Sequence, residues 1–261
     1  MAGPEQADKP KGIEFYGGSQ VYSESGVDLT LFQSTLRRSL EERWENNRCA
    51  AKFGLALRES NKAAKGLIPP IDWTKWKPTM TDPAAFVQLL TAHKVQFVMI
   101  GGQAMVAHGS AHITLDTDIC YQRTPANLAV LVAAFAPIHP YLRGVPPGLP
   151  FRFDVPTLAA GLNFTLDTDH GQIDLLGEVS GVGTYDQVLA QSVGGTMDGL
   201  PVRILSVDGL IAAKKAAGRI KDQTHLLELL ELKKMLEAAH GGPDLDTSRP
   251  SPPHFDVTFS G

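Results

Sequence analysis

Two stretches decide the fold: VQFVMIGG at residues 95–102 and, after eleven further residues, TLDTDI at residues 114–119. The first predicts a short buried strand over residues 95–100 that runs into two glycines. A short helix is expected over residues 103–108, with Gly109 as its C-cap. The next strand is predicted over residues 113–121, so it carries Asp116 and Asp118 inside an otherwise apolar run.

The elements on either side mix helices with strands. We predict helices from Thr81-Asp82-Pro83, over residues 127–135, 185–191, 207–217 and 220–239, and an irregular loop over residues 137–161. Residues 162–166 and 172–176 are predicted to form a hairpin, and residues 202–205 a further strand. This order indicates an α/β (α+β) protein. A mixed sheet with flanking helices and a C-terminal helical segment is expected, rather than a doubly wound parallel sheet.

Composition divides the chain into five segments. Residues 1–27 are polar and glycine-rich, and residues 241–261 are proline-rich, so both are predicted to be disordered. Apolar residues at three- and four-residue steps predict an N-terminal helical extension over residues 28–60, with Asp28 as its cap. Prolines mark residues 61–80 as a linker. The main domain is expected over residues 81–240.

The overall composition excludes several classes of protein. With 43% hydrophobic and 20% charged residues in 261, a fully disordered chain is excluded. A net charge of -4 does not suit a protein that coats nucleic acid. No apolar run reaches about 18 residues and no apolar leader is present, so neither a membrane span nor secretion is expected. The two cysteines lack metal-ligand spacing, which favours a reduced, cytoplasmic protein.

Three aspartates are the candidate chemical residues. Asp116 and Asp118 are two apart on a predicted strand and so share a face, and Asp174 lies in a similar strand, QIDLL at residues 172–176. Neighbouring carboxylates repel unless a cation lies between them, and Mg²⁺ prefers oxygen ligands. The alternative is a solvated strand edge with surface acids, because a lone DxD triplet is common.

The two glycines at the end of the first strand fit a phosphate site. Backbone N–H groups at a helix start bind phosphate, and Gly101 and Gly102 would let it approach closely. A simple turn is the alternative. Neither GxGxxG nor GxxxxGK[ST] is present, so a dinucleotide-binding fingerprint and a P-loop are not supported.

Taken together, strand-GGQAMVAHG (residues 101–109) and TLDTDI (residues 114–119) resemble the signature of the nucleotidyltransferase superfamily, which has the DNA polymerase β-like fold. The resemblance is to small bacterial members related to the AbiEii toxins of toxin–antitoxin systems. The segment SVDGLIAAKKAAGRIKD (residues 206–222) resembles the C-terminal helical motif of that family. The resemblance covers about residues 82–238, and His112 stands where relatives often have Arg.

The resemblance implies a role for each matched residue. Asp116 and Asp118 would bind the catalytic Mg²⁺ (or Mn²⁺) with the nucleoside triphosphate. Asp174 would complete the metal site and activate the acceptor hydroxyl. Gly101 and Gly102 would hold phosphates, and further nucleotide contacts would come from Lys214 and Arg219. Both cations also have a structural alternative, because cations near a helix C-terminus favour its dipole.

The sequence therefore predicts transfer of NMP from an NTP to an acceptor hydroxyl. The acceptor stays open between RNA, a protein and a small molecule, and a toxin–antitoxin partner is a further expectation. The competing hypotheses are a nucleotide-binding regulatory or antitoxin-like module without transfer activity, and a purely structural domain. The segment VYSESGVDLTLF (residues 21–32) is either the start of a fused partner protein or a plain N-terminal extension.

Overall fold

The computed structural model describes residues 14–15, 19–69, 81–146 and 150–241. The strands are β1 Glu14–Phe15, β2 Ser19–Gln20, β3 Phe97–Ile100, β4 Thr117–Tyr121, β5 Tyr141–Leu142, β6 Asn163–Thr168, β7 Gly171–Leu176, β8 Glu178–Val179, β9 Gly183–Thr184, β10 Ser192–Met197 and β11 Leu200–Leu205. The α-helices are α1 Leu29–Leu36, α2 Leu40–Ala64, α3 Pro83–Ala92, α4 Gly101–His108, α5 Pro125–Phe135, α6 Val155–Ala160, α7 Tyr185–Ala190, α8 Val207–Ala217 and α9 Ile220–Gly241. A 3₁₀ turn, Ala136–Ile138, follows α5.

Seven strands form one sheet in the order β10-β11-β3-β4-β7-β6-β5. The β11–β3 and β4–β7 pairs are parallel, and the other four pairs are antiparallel. The mixed sheet predicted from the sequence is therefore confirmed. Its centre is the β3–β4–β7 group, which unites the two stretches quoted first with the strand that carries Asp174.

The core lies against the apolar side chains of these central strands. All four residues of β3 are buried, as are Ile173 and Leu175 of β7. Helices cover them, with Phe86 of α3 and Phe135 of α5 both fully buried. Burial alternates along β6 and β7, so that Asp174 lies on the opposite face from its apolar neighbours. That face of the sheet is the one left for polar side chains.

The N-terminal helical pattern divides into two helices. Asp28 caps α1 as predicted, its carboxylate accepting from the N–H of Thr30. Helix α1 ends at Leu36, and α2 begins after Ser39, which caps it through a capping box with Glu42. Helix α2 packs on α4, and the indole of Trp44 is part of the core.

Several boundaries differ from the predictions. The predicted irregular loop over residues 137–161 contains β5 and α6, and α6 has an Asp154 cap that periodicity alone did not reveal. Strand β10 was missed because Gly194 and Gly195 lie within it, and glycine is depleted in strands. Helix α4 begins at Gly101 rather than at residue 103. Helices α7, α8 and the β6–β7 hairpin lie close to their predicted bounds.

The predicted tail beyond Gly241 and most of the predicted linker lie outside the described residues, as do residues 1–13 and 16–18. Within the segment predicted as disordered, β1 and β2 pair with each other. Helix α2 continues into the predicted linker as far as Ala64. None of the helices among the described residues is both long and apolar enough to cross a membrane.

Candidate metal centre

Strand pairing brings the three aspartates together. Asp118 of β4 lies directly opposite Asp174 of β7 in the parallel pair. The strand predicted over residues 113–121 begins only at Thr117. Asp116 therefore lies just before β4 rather than inside it. Carboxylate oxygens of all three nonetheless lie within 4.8 Å of one another, and each residue is partly buried.

The three carboxylates repel one another. Burial, together with the charges of Asp116 and Asp174, raises the pKa of Asp118 to about 7. The Gly102 N–H and the charge of Lys214 act in the opposite direction, but they do not offset the repulsion. A cation among the carboxylates would relieve it. The donor set is entirely carboxylate oxygen, which suits a hard divalent ion such as Mg²⁺ or Mn²⁺.

Thr114 fixes the first aspartate, which lies outside regular structure. Its buried hydroxyl donates to the Asp116 carboxylate at 2.9 Å. The amide of Gln103 donates to the Asp116 carbonyl at 3.4 Å. The sequence reasoning did not identify Thr114, although its position two residues before an acid is typical of a local side-chain contact.

The two predicted phosphate-binding glycines lie beside the acids at the start of α4. Gly101 has φ +61, and a Cβ there would collide with the Asp118 carboxylate. A Cβ on Gly102 would lie 2.5 Å from the Thr114 hydroxyl. The glycines therefore make room for two residues of the centre. The contact of these glycines with phosphate stays a prediction.

The predicted nucleotide-binding cations, Lys214 and Arg219, both contact a fourth acid, Asp222. The side chain of Asp222 is 1% exposed and bonds to Lys214 Nζ at 3.0 Å and Arg219 Nε at 2.6 Å. Burial alone would raise the pKa of Asp222, but the hydrogen bonds from Arg219 and Lys214 lower it to about 2. Both cations lie within the field of the carboxylates: Lys214 lowers the pKa of Asp118, and Asp118 and Asp174 help to raise that of Arg219.

A cation that the sequence reasoning missed contacts the centre directly. Arg143, just after β5, places Nη2 at 2.9 Å from the Asp174 carboxylate. It lies in the region predicted as irregular loop. No periodic signal marks it, because the two-residue strand that positions it is too short to give one.

The remaining candidates lie outside the centre. Burial lowers the pKa of His108, whose Nε2 lies 2.8 Å from the Leu205 carbonyl, as expected of a packing histidine. The ring of His112 packs on His225 with centroids 4.2 Å apart. The Cys120 thiol is buried, and this raises its pKa to about 12.

A cavity of about 320 Å³ lies near the centre, between α2 and the start of α3. Thr114 lines it, but none of the three clustered aspartates does. Two of its acidic side chains have local contacts: Glu42 accepts from the Ser39 N–H, and Glu41 accepts from the Thr196 hydroxyl. The residues that the cavity shares with the surroundings of the centre are Gln103 and Thr114, which both bond to Asp116.

Comparison of the sequence with protein-family models and with curated proteins finds no match.

Proposed function

We propose that this protein is a metal-dependent nucleotidyltransferase, which moves NMP from an NTP to an acceptor hydroxyl. The observation that carries the proposal is the cluster of three carboxylates whose oxygens lie within 4.8 Å, set beside the start of α4. The resemblance of residues 101–119 to the nucleotidyltransferase signature supports it. The fold proposed on the same grounds is that of the nucleotidyltransferase superfamily.

Each group then has a role. Asp116, Asp118 and Asp174 would hold the divalent ion, which supplies Lewis-acid stabilisation of charge on the triphosphate. Asp174, at the edge of the cluster, accepts the proton of the attacking hydroxyl. The N-terminus of α4 favours negative phosphate charge through its dipole. Lys214 and Arg219, held by Asp222, supply positive charge near the leaving pyrophosphate.

The test is transfer of label. The full chain is incubated with Mg²⁺ or Mn²⁺, each α-labelled NTP in turn, and a total cell extract that offers RNA, protein and small-molecule acceptors. We expect label in one fraction, which identifies both the base and the acceptor class. Asp116→Asn combined with Asp118→Asn removes two ligands and should abolish transfer.

The matched control is Asp186→Asn, which removes an exposed carboxylate on α7 and should leave transfer unchanged. The double variant should fold, with a melting temperature in the absence of metal no lower than that of wild type, because the repulsion that raises the pKa of Asp118 is relieved. Absence of transfer with every NTP would contradict the proposal. NTP binding without transfer would favour the regulatory, antitoxin-like alternative.

A further inference from the structure

A line of residues crosses four neighbouring strands on the face that carries the carboxylates. Asp118 lies opposite Asp174, and Asp174 lies opposite Thr165 of β6. The backbone N–H of Arg143, just after β5, donates to the carbonyl of Thr165 at 2.9 Å. Because residues paired across a sheet point to the same face, the line continues from the carboxylates to the guanidinium at the edge of the sheet.

The guanidinium is held in place by more than one contact. Nη2 lies 2.9 Å from Asp174 Oδ1 and donates to the Leu166 carbonyl at 3.2 Å, and Nε lies 3.7 Å from Asp167 Oδ1. The side chains of Arg143 and Asp174 are 23% and 21% exposed. Partial burial makes this ion pair stronger than one in free solvent, where salt bridges contribute little.

Asp174 thus has two competing interactions. It belongs to the cluster that could hold a metal ion, and it already pairs with a cation. A divalent ion and a guanidinium on the same carboxylate repel each other, so each lowers the affinity of the centre for the other.

We propose that Arg143 is the resident counter-cation of the three carboxylates and that a divalent cation binds Asp174 in exchange for it. The inference rests on the metal centre of the proposed function. Arg143 is then a positioning residue, which keeps Asp174 oriented before the ion arrives. After the exchange, its guanidinium remains beside the ion, where it can donate to a phosphate group of the bound nucleotide.

The exchange is tested with Mn²⁺ as the probe, by measuring free Mn²⁺ through electron paramagnetic resonance during titration of the full chain. Arg143→Gln should bind Mn²⁺ about tenfold more tightly than wild type, because the competing charge is gone. Arg143→Lys keeps the positive charge but loses the several N–H donors of the guanidinium. Its Mn²⁺ affinity should lie between those of wild type and Arg143→Gln. Arg152→Gln is the matched control: it removes an exposed arginine from the same region and should leave the affinity unchanged.

A second measurement repeats the titration with a saturating non-hydrolysable NTP analogue. The analogue should tighten Mn²⁺ binding more in wild type than in Arg143→Gln, because only wild type has a guanidinium for the nucleotide to draw away. A general loss of packing would not produce this difference.

The two proposals fail differently. Equal Mn²⁺ affinity in wild type, Arg143→Gln and Arg143→Lys would overturn the exchange and leave the metal centre intact. If neither wild type nor any Arg143 variant binds Mn²⁺, both the exchange and the proposed function are overturned. Should Arg143→Gln not fold, the intermediate affinity expected of Arg143→Lys still decides the exchange.

Discussion

Gly101, next to the candidate centre, is at a position that only glycine can fill without moving Asp118. Gly101 has a positive φ, and the space where its side chain would be is filled by the carboxylate of Asp118. Any other residue would meet two separate costs, the strain of a left-handed backbone and a collision with a candidate ligand. The two costs can be separated by experiment.

Gly101→Ala should therefore weaken both folding and metal binding. We expect a loss of about 1–2 kcal/mol in the free energy of unfolding from the backbone alone, and at least a tenfold loss of Mn²⁺ affinity because Asp118 must move. Gly199→Ala is the control: Gly199 has φ +75, and a Cβ there meets nothing within 4 Å. In urea denaturation Gly199→Ala should lose about as much free energy of unfolding as Gly101→Ala does, and its Mn²⁺ affinity should equal that of wild type. Equal Mn²⁺ affinity in all three proteins would contradict the assignment of Asp118 as a ligand.

Among the elements, the junction of α8 with α9 depends on one buried acid. Gly218 ends α8 with φ +62, and Asp222 in the first turn of α9 bonds back to Lys214 and Arg219. A carboxylate that is 1% exposed needs such partners. The junction thereby fixes the direction of α9 and keeps Lys214 close enough to influence Asp118.

Asp222→Asn should destabilise the protein by about 3 kcal/mol at pH 7, because it leaves two neighbouring cations without their shared anion. The effect should depend on pH. The folded-state pKa of Asp222 is lowered to about 2 from 3.8, so its contribution is complete above about pH 4 and is lost as the pH falls through 2. Urea denaturation of both proteins between pH 7 and pH 3 measures the difference. A gap that stays constant between pH 7 and pH 3 would contradict the lowered pKa.

Elements with a clear period or clear end signals could be predicted from the sequence, and a two-residue strand could not. Helix α8 was predicted at its observed bounds, and in the structure Ser206 caps it and Gly218 ends it. Strand β5 has two residues and no period to detect, so Arg143 could not be assigned to the site. Three aspartates were identified because acids are unusual in apolar strands. Their closeness depended on the parallel pairing of β4 with β7, which only the fold supplies.

For the whole molecule, the main question is whether the N-terminal helices are part of the folded unit. Trp44 of α2 is 8% exposed, and its indole N–H donates to the Gln103 carbonyl at 3.3 Å. Asn47 and Arg43 of the same helix bond to carbonyls of His112 and Ala107. These contacts lie on and beside α4, at whose N-terminus the carboxylates cluster. They favour an integral part of the domain over a loosely attached extension.

Trp44→Ala should thus destabilise the entire protein, by about 3 kcal/mol or more, through a single cooperative transition. Phe53→Ala changes an aromatic residue of the same helix that is 61% exposed, and should cost less than about 0.5 kcal/mol. Urea denaturation followed by circular dichroism compares the two variants, because Trp44→Ala removes one of the three tryptophans of the chain. An unchanged main transition in Trp44→Ala would show that α2 is energetically separate from the sheet.

The order of the strands also bears on how the protein is made. Five adjacent strands, β3-β4-β7-β6-β5, are all encoded between Phe97 and Leu176, whereas β10, β11 and α8 come later. On a ribosome the N-terminal part emerges first, so these five strands can pair before the segment that carries Lys214 has left the exit tunnel. The carboxylates would then gather on the nascent chain while the cations of α8 and α9 are still inside the ribosome. Arg143 belongs to the same early segment, so the positive charge that lies 2.9 Å from Asp174 in the folded protein becomes available before the cations of α8 and α9 do.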